Sequence, residues 1–263
     1  GFLSRTPEGE ANRRPAVDVD GGVVILEDLV ARSDVPASYE FVRLDATEEG
    51  SVIRRNTSSG EIIAHRGAIA TIEDNVLLAE SPEGPPVGIA LRRADVDLVI
   101  SGNELNAIDV PQGAAEISGN SIQGRTLGDS EIFGACGVAA HGESRPVLAD
   151  NRVWDKGHGI CGHFDVRGGE IYDNDVGLLF EDRDPEDPRD PSSVAGAVIR
   201  DNGVGVQVGG LAPGIVVVGS DGISAADGMA GEAVLIDNAF CRNGVDVQAE
   251  EGANVVETGS TEC

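Results

Sequence analysis

Apolar residues recur along this chain in short alternating runs, each broken by a polar corner. Leu148 to Phe180, LADNRVWDKGHGICGHFDVRGGEIYDNDVGLLF, shows the unit: Leu/Ile-x-Asp-Asn, a polar corner, then Gly-Ile/Leu opening a short strand. Asn151 and Asn174 read as the same point in successive units, and Ile160 and Leu178 as the same point after the corner. The left half of the unit returns at Ile53–Asn56, Ile72–Asn75, Ile100–Asn103, Ile117–Asn120, Leu148–Asn151, Ile171–Asn174, Ile199–Asn202 and Leu235–Asn238. The mean spacing of these asparagines is (238 − 56)/7 = 26 residues. A fixed phrase at variable spacing marks a constant corner with loops of variable length, and a period of roughly 20–50 residues indicates a solenoid. The runs between glycines are too short and too β-branched for helices of about 10–12 residues. They predict short parallel strands, each coil stacked on the last at about 4.8 Å, with Ile, Leu and Val inward. Asparagine suits the corner because it tolerates a left-handed backbone and bonds neighbouring backbone groups. Stacked asparagines can form a ladder of side-chain amides.

The pattern weakens toward the N-terminus. Residues 1–16 (GFLSRTPEGEANRRPA) carry no apolar period and read as a polar arm or linker, leaving 17–263 as one repetitive domain. The segment LEDLVARS, between strand-like VDVDGGVVIL and YEFVRL, is expected to form a helical turn covering the end of the solenoid. The sequence opens at Gly1 without a secretory leader, so it reads as a processed or trimmed product.

Composition narrows the function classes. Aromatics make up 3% of the 263 residues, so the core is expected to be aliphatic. The net charge is −27 and Lys156 is the single lysine, so nucleic acid is excluded as a partner for want of a basic surface. An anionic polysaccharide is repelled unless cations intervene. No apolar run reaches the roughly 18 residues of a membrane helix, so no membrane partner is expected. Cys136, Cys161, Cys241 and Cys263 are too sparse for a disulfide scaffold and lack CxxC metal spacing. Cys241 and Cys263 are expected to pair and pin the C-terminus. Cys136 precedes Gly137 whereas Cys161 follows Gly159, three positions out of register, so these two are expected to be free thiols.

The eight Ile/Leu-x-x-Asn corners and the Gly-Val/Ile/Leu strands after them resemble the right-handed parallel β-helix of the pectate-lyase-like superfamily, over about residues 50–250. The resemblance implies an all-β, single-stranded right-handed parallel β-helix of about ten coils. It implies little about function, since the fold hosts lyases, hydrolases, epimerases, tailspikes and non-catalytic binding repeats. The Gly-His-Gly at 157–159 is similar to that of polygalacturonases, but the Asn-Thr-Asp, Asp-Asp and Arg-Ile-Lys of their pattern are missing, as is the Asp-Pro-His-Asp of alginate epimerases. No catalytic assignment carries over.

Candidate chemistry therefore comes from the predicted register. Taking Val138, Ile160, Leu178, Val206 and Val245 as inward leaves an outward column of His65, Arg92, Pro111, His141, His163, Glu181, Gly209 and Gln248. His141, His163 and Glu181 would be consecutive, and such a row can do acid–base work near neutral pH or hold a metal such as zinc. Arg92 and Asp109 are ligand-binding candidates on the same face. Trp154, Lys156 and His158 form WDKGHG at one corner, where an exposed Trp154 beside Lys156 is a candidate sugar-stacking platform. Asp150, Asp173, Asp201 and Asp237 precede corner asparagines and would line up on successive coils, with calcium as the candidate cofactor if oxygen ligands converge there. The plain alternative for each set is a solvated polar position. The favoured reading is a secreted or cell-surface module, or a domain of a larger protein, that binds carbohydrate or a protein along its strand face without catalysis. Its alternatives are a polysaccharide lyase, hydrolase or epimerase with a groove at His141/His163/Glu181, walled by 124–136, 181–196 and 209–232, and a structural part of a larger assembly.

Overall fold

A computed structural model describes residues 15–31, 40–78, 88–123, 136–140, 144–180, 192–208, 232–249 and 254–263. Within them the chain winds through three parallel sheets of ten strands each, visiting the sheets in strict rotation. This is a right-handed parallel β-helix of ten coils, with no helix among the described residues. Coil 6 shows the plan: Cys136–Ala140 in the first sheet, Val147–Ala149 in the second, Arg152–Trp154 in the third. Coil 7 repeats it with His158–Gly162, Asp165–Arg167 and Glu170–Tyr172. Coil 1 begins at Val17, and its second and third strands are Ile25–Glu27 and Val30–Ala31. The LEDLV stretch expected to be helical is therefore strand, because Leu26 packs on the core as the inward residue of a short strand. Residues 1–14 of the proposed arm lie outside the described residues.

The core is a set of stacked inward columns. In the first sheet Val42, Ile62, Ile89, Ile108, Val138, Ile160, Leu178 and Val206 follow one another from coil 2 to coil 9. The last coil departs from the expected alignment: Val247, not Val245, partners Val206, and Gln248 partners Gln207. The core is mainly aliphatic as expected, though Phe164 and Phe180 stack inside it with centroids 4.7 Å apart.

The corner asparagines fall on two lines, flanking the short third sheet. Asn56, Asn75, Asn103, Asn120 and Asn151 turn the chain from the second sheet into the third in coils 2 to 6. Each donates its amide to the Oδ1 of the next at 2.9–3.0 Å. Asn174, Asn202 and Asn243 form a second ladder where the third sheet passes into the first, at 2.9 and 3.1 Å. Asn151 and Asn174 are thus not equivalent, contrary to the expectation from the phrase. Gly169 and Ala197 hold the first line in coils 7 and 8, and Asn238 rejoins it in coil 9, its Oδ1 accepting from the Ala197 N–H at 3.0 Å. The count of coils survives the confusion, because Asn174 and Asn202 each stand five residues beyond the equivalent position.

Both corners use the same backbone device, which is why they share a phrase. At the first corner Asp28, Arg55, Asp74, Gly102, Gly119, Asp150, Gly168, Gly196, Asp237 and Gly259 all have φ between 51° and 73°. At the second, Asp155, Asp173, Asp201 and Arg242 lie between 50° and 58°. A left-handed residue makes the sharp bend, and Asp or Gly tolerates it better than most.

Candidate functional site

The outer face of the first sheet changes character along the axis. In coils 2 to 5 it mixes ion pairs with the buried Ile63 and Ala90. Arg43 bridges Glu40 at 2.5 Å, Arg66 bridges Asp45 at 3.2 Å, and Arg92 bridges Asp109 at 2.5 Å. The last pair spans coils 4 and 5 and borders a cleft of about 320 Å³ lined by Glu61, Ile89, Ala90, Arg92, Asp109 and Pro111. At its edge coil 4 meets coil 5 so closely that a Cβ on Gly88 would sit on the Ala107 carbonyl oxygen. Arg92 is exposed and Asp109 half-buried, so donor and acceptor groups both reach solvent. The structure brings Arg92 and Asp109, two of the ligand-binding candidates from sequence, into contact. Glu61 was missed; it stands at the start of a strand, outside the period-2 column used to find the others.

In coils 6 to 9 the same face is buried. Ala139, Cys161, Leu179 and Gln207 succeed one another across the paired strands, none more than 5% exposed. His163 follows coil 7's first strand and is half-buried, its N–H bonded to the Ala140 carbonyl at 2.8 Å. His141 and Glu181 lie outside the described residues, as do 124–135, 181–191 and 209–231 of the expected groove walls. The strands that lead to the three candidates do end in register, Ala140 opposite Gly162 and Gly162 opposite Phe180.

The two expected thiols are joined: Cys136 and Cys161 form a disulfide, with Cα atoms 6.1 Å apart. The three-position offset is real, since Cys136 pairs with His158 and Ala139 with Cys161. The strand does not run straight between them. Gly137, Gly159, Gly177 and Gly205 stack at a kink, where a Cβ would meet the next coil's carbonyl oxygen at 2.4–2.7 Å. Residues three apart, Cys136 with Ala139 and Val176 with Leu179, consequently share one outer cluster. Cys241 and Cys263 pair as expected, being directly opposite on coils 9 and 10 with Cα atoms 4.7 Å apart.

The WDKGHG corner separates into three environments. Lys156 is 4% exposed, so it does not extend beside Trp154 into solvent. Trp154 stacks on Tyr172 of the next coil, centroids 5.7 Å apart and rings parallel, and the Arg200 guanidinium covers Tyr172 at 4.1 Å. One face of the expected sugar platform is thus occupied by protein. Tyr172 and Arg200 were missed because Ile171-Tyr-Asp-Asn174 was matched to Leu148-Ala-Asp-Asn151. Its structural equivalent is Val153-Trp-Asp-Lys156. His158 turns to the outer cluster, its ligand atom within 4.8 Å of both disulfide sulfurs. Burial lowers its pKa, with the Asp175 carboxylate acting in the opposite direction.

The four aspartates do not form one line. Asp150 and Asp237 occupy the first corner, separated by Gly168 and Gly196, while Asp173 and Asp201 occupy the second. Asp201 is engaged by Arg242 at 2.6 and 2.7 Å and by Arg200 at 2.8 Å. Those bonds hold its carboxyl down at a pKa of about 2.

A scan of known protein families finds none that matches the chain, and a search of curated proteins finds no match. Among solved structures, the A-module of mannuronan C-5 epimerase AlgE6 from Azotobacter vinelandii is similar over 89% of this chain and 80% of its own. The identity is 15% and the TM-score 0.40.

Proposed function

We propose that this protein is a binding module that takes carbohydrate along the outer face of its first sheet, without turning it over. The observation that carries the reading is the Arg92–Asp109 pair at the cleft of coils 4 and 5. A guanidinium offers several fixed donors and a carboxylate offers acceptors, so the pair can serve the hydroxyls of a sugar without catalytic machinery. Glu61 adds a second carboxylate, and Ala90 lines the cleft between the two strands. The net charge of −27 favours a neutral glycan, or an acidic one bridged by calcium, over a bare polyanion. The two disulfides support a secreted or cell-surface location, where such bonds persist.

A glycan array read alongside an assay for unsaturated uronate products tests the proposal. Binding that is lost in Arg92→Ala and Asp109→Ala, with no product, supports it. Product formation that depends on His163 supports the lyase or epimerase alternative, and binding indifferent to Arg92 and Asp109 removes the cleft from consideration.

A further inference from the structure

The outer cluster of coils 6 and 7 brings together Cys136, His158 and Cys161, with their ligand atoms all within 4.8 Å of one another. Three features of the fold put them there. The paired register sets Cys136 beside His158 on adjacent coils. The glycine kink carries Cys161 round to the face that His158 occupies, three residues earlier in its own strand. The surrounding Ala139, Val176 and Leu179 make the pocket apolar. The cysteines are 4% and 1% exposed, so the cluster is enclosed by protein.

The geometry points to a second state of this cross-link: when the disulfide is reduced, Cys136, His158 and Cys161 bind a single zinc ion. A phosphine or a dithiol supplies the two electrons. The S–S bond breaks, each sulfur leaves as a thiol with one added proton, and the phosphine is oxidised to its oxide with oxygen from water. Zinc then displaces the two thiol protons. The result is a two-thiolate, one-imidazole set, a combination zinc favours, with sulfurs at about 2.3 Å and nitrogen at about 2.0–2.1 Å. Two sulfurs on a tetrahedral zinc stand about 3.8 Å apart, which the freed side chains reach by rotating about their Cα–Cβ bonds without moving the coils. Zinc takes the neutral imidazole of His158 through a ring nitrogen. Three protein ligands leave a fourth tetrahedral position for water or a small ligand. Coils 6 and 7 thus carry one staple with two chemistries, sulfur to sulfur under oxidising conditions and through metal under reducing ones. The site is separate from the Arg92–Asp109 cleft, and neither proposal depends on the other.

The test uses the full chain carrying Cys241→Ser and Cys263→Ser, so that the other disulfide contributes no thiols. The protein is reduced with a phosphine, freed of metal, and titrated with zinc against a chromophoric chelator, with cobalt as a spectroscopic stand-in. Circular dichroism follows the β signal throughout. The expected result is one zinc per chain in the reduced protein, cobalt spectra with thiolate charge-transfer bands and tetrahedral d–d bands, and no tight binding in the oxidised protein. Loss of either cysteine to serine abolishes the thiolate bands of a two-sulfur site. His158→Ala weakens zinc by at least about tenfold while leaving the disulfide able to form. Equal zinc binding by oxidised and reduced protein, indifference to His158, or loss of the β signal on reduction that zinc does not reverse would each overturn the inference.

Discussion

Asn120 donates its side-chain amide to the Oδ1 of Asn151 at 2.9 Å, and its own backbone N–H donates to that same oxygen at 3.0 Å. One oxygen thereby ties two groups of the preceding coil. The relation repeats from Asn56 to Asn151 and again from Asn174 to Asn243. The same side-chain amides also donate back to a carbonyl of the preceding coil, Asn103 to Ile72 and Asn120 to Ile100.

An interior member of the ladder is therefore costly to remove. In Asn103→Leu the backbone and side-chain N–H groups of Asn75 lose their acceptor, and the Ile72 carbonyl loses a donor. The expected loss is about 3 kcal/mol, from buried groups left without partners. Asn243→Leu, at a half-exposed position ending the second ladder, is expected to lose less than half of that. Urea denaturation of both variants checks the order; equal losses would mean that burial in the ladder does not set the cost.

The glycines differ in what they are for. Gly177 has ordinary φ but no space, a Cβ lying 2.5 Å from the Gly205 carbonyl oxygen. Gly119 has space but a φ of 62°, at the position where the next coil carries Asp150. Gly177→Ala is expected to cost at least about 2 kcal/mol through overpacking of backbone. Gly119→Asp is expected to cost no more than about 1 kcal/mol, since aspartate tolerates the left-handed region. Thermal midpoints of the two variants should separate accordingly, and a reversed order would refute the kink.

Thiol titration of the denatured, unreduced protein is expected to find no free cysteine. Cys136→Ser with Cys161→Ser opens a link of sequence separation 25. The chain-entropy account assigns that link about 3.5 kcal/mol. Two reactive thiols in the unreduced wild-type protein would contradict the pairing.

Asp201 gives a pH signature. Hydrogen bonds from Arg242 and Arg200 lower its folded pKa from 3.8 to about 2. Its contribution to stability is complete above the unfolded value near 4 and is lost as pH falls through about 2. Asp201→Asn keeps the left-handed backbone and removes the charge. Because the group is partly exposed, the difference from wild type is expected to stay under about 1 kcal/mol. It should shrink as unfolding is measured at pH 5, 4 and 3. A difference that stays constant over that range would place the effect elsewhere than in the carboxylate.

The architecture was readable because its chemistry is local. A left-handed residue followed by asparagine, with an inward aliphatic residue two positions before the bend, specifies one corner and its coil in a handful of letters. The same economy concealed which corner was which. Ile171-Tyr-Asp-Asn174 and Leu148-Ala-Asp-Asn151 build identical bends at different edges of the third sheet. The four aspartates were consequently put on one line, and the stacking of Tyr172 and Arg200 on Trp154 went unseen. The disulfide of Cys136 and Cys161 was hidden for another reason: alternation assumes a straight strand, and the glycine kink is not one. Arg92 and Asp109 emerged because their strands are straight and their register is set by Ile89 and Ile108. The row of His141, His163 and Glu181 rests on His163 alone among the described residues.

The Cys241–Cys263 bond has a mechanical consequence. A pull applied at Cys263 passes through sulfur directly to Cys241, bypassing the 21 residues between them. Coil 10 then carries no tension, and the load falls on the coil 9 strand that ends at Cys241. Without the bond, coil 10 would take the load itself and part from coil 9 along its paired strands. Here traction spares it and reaches the interior of the stack.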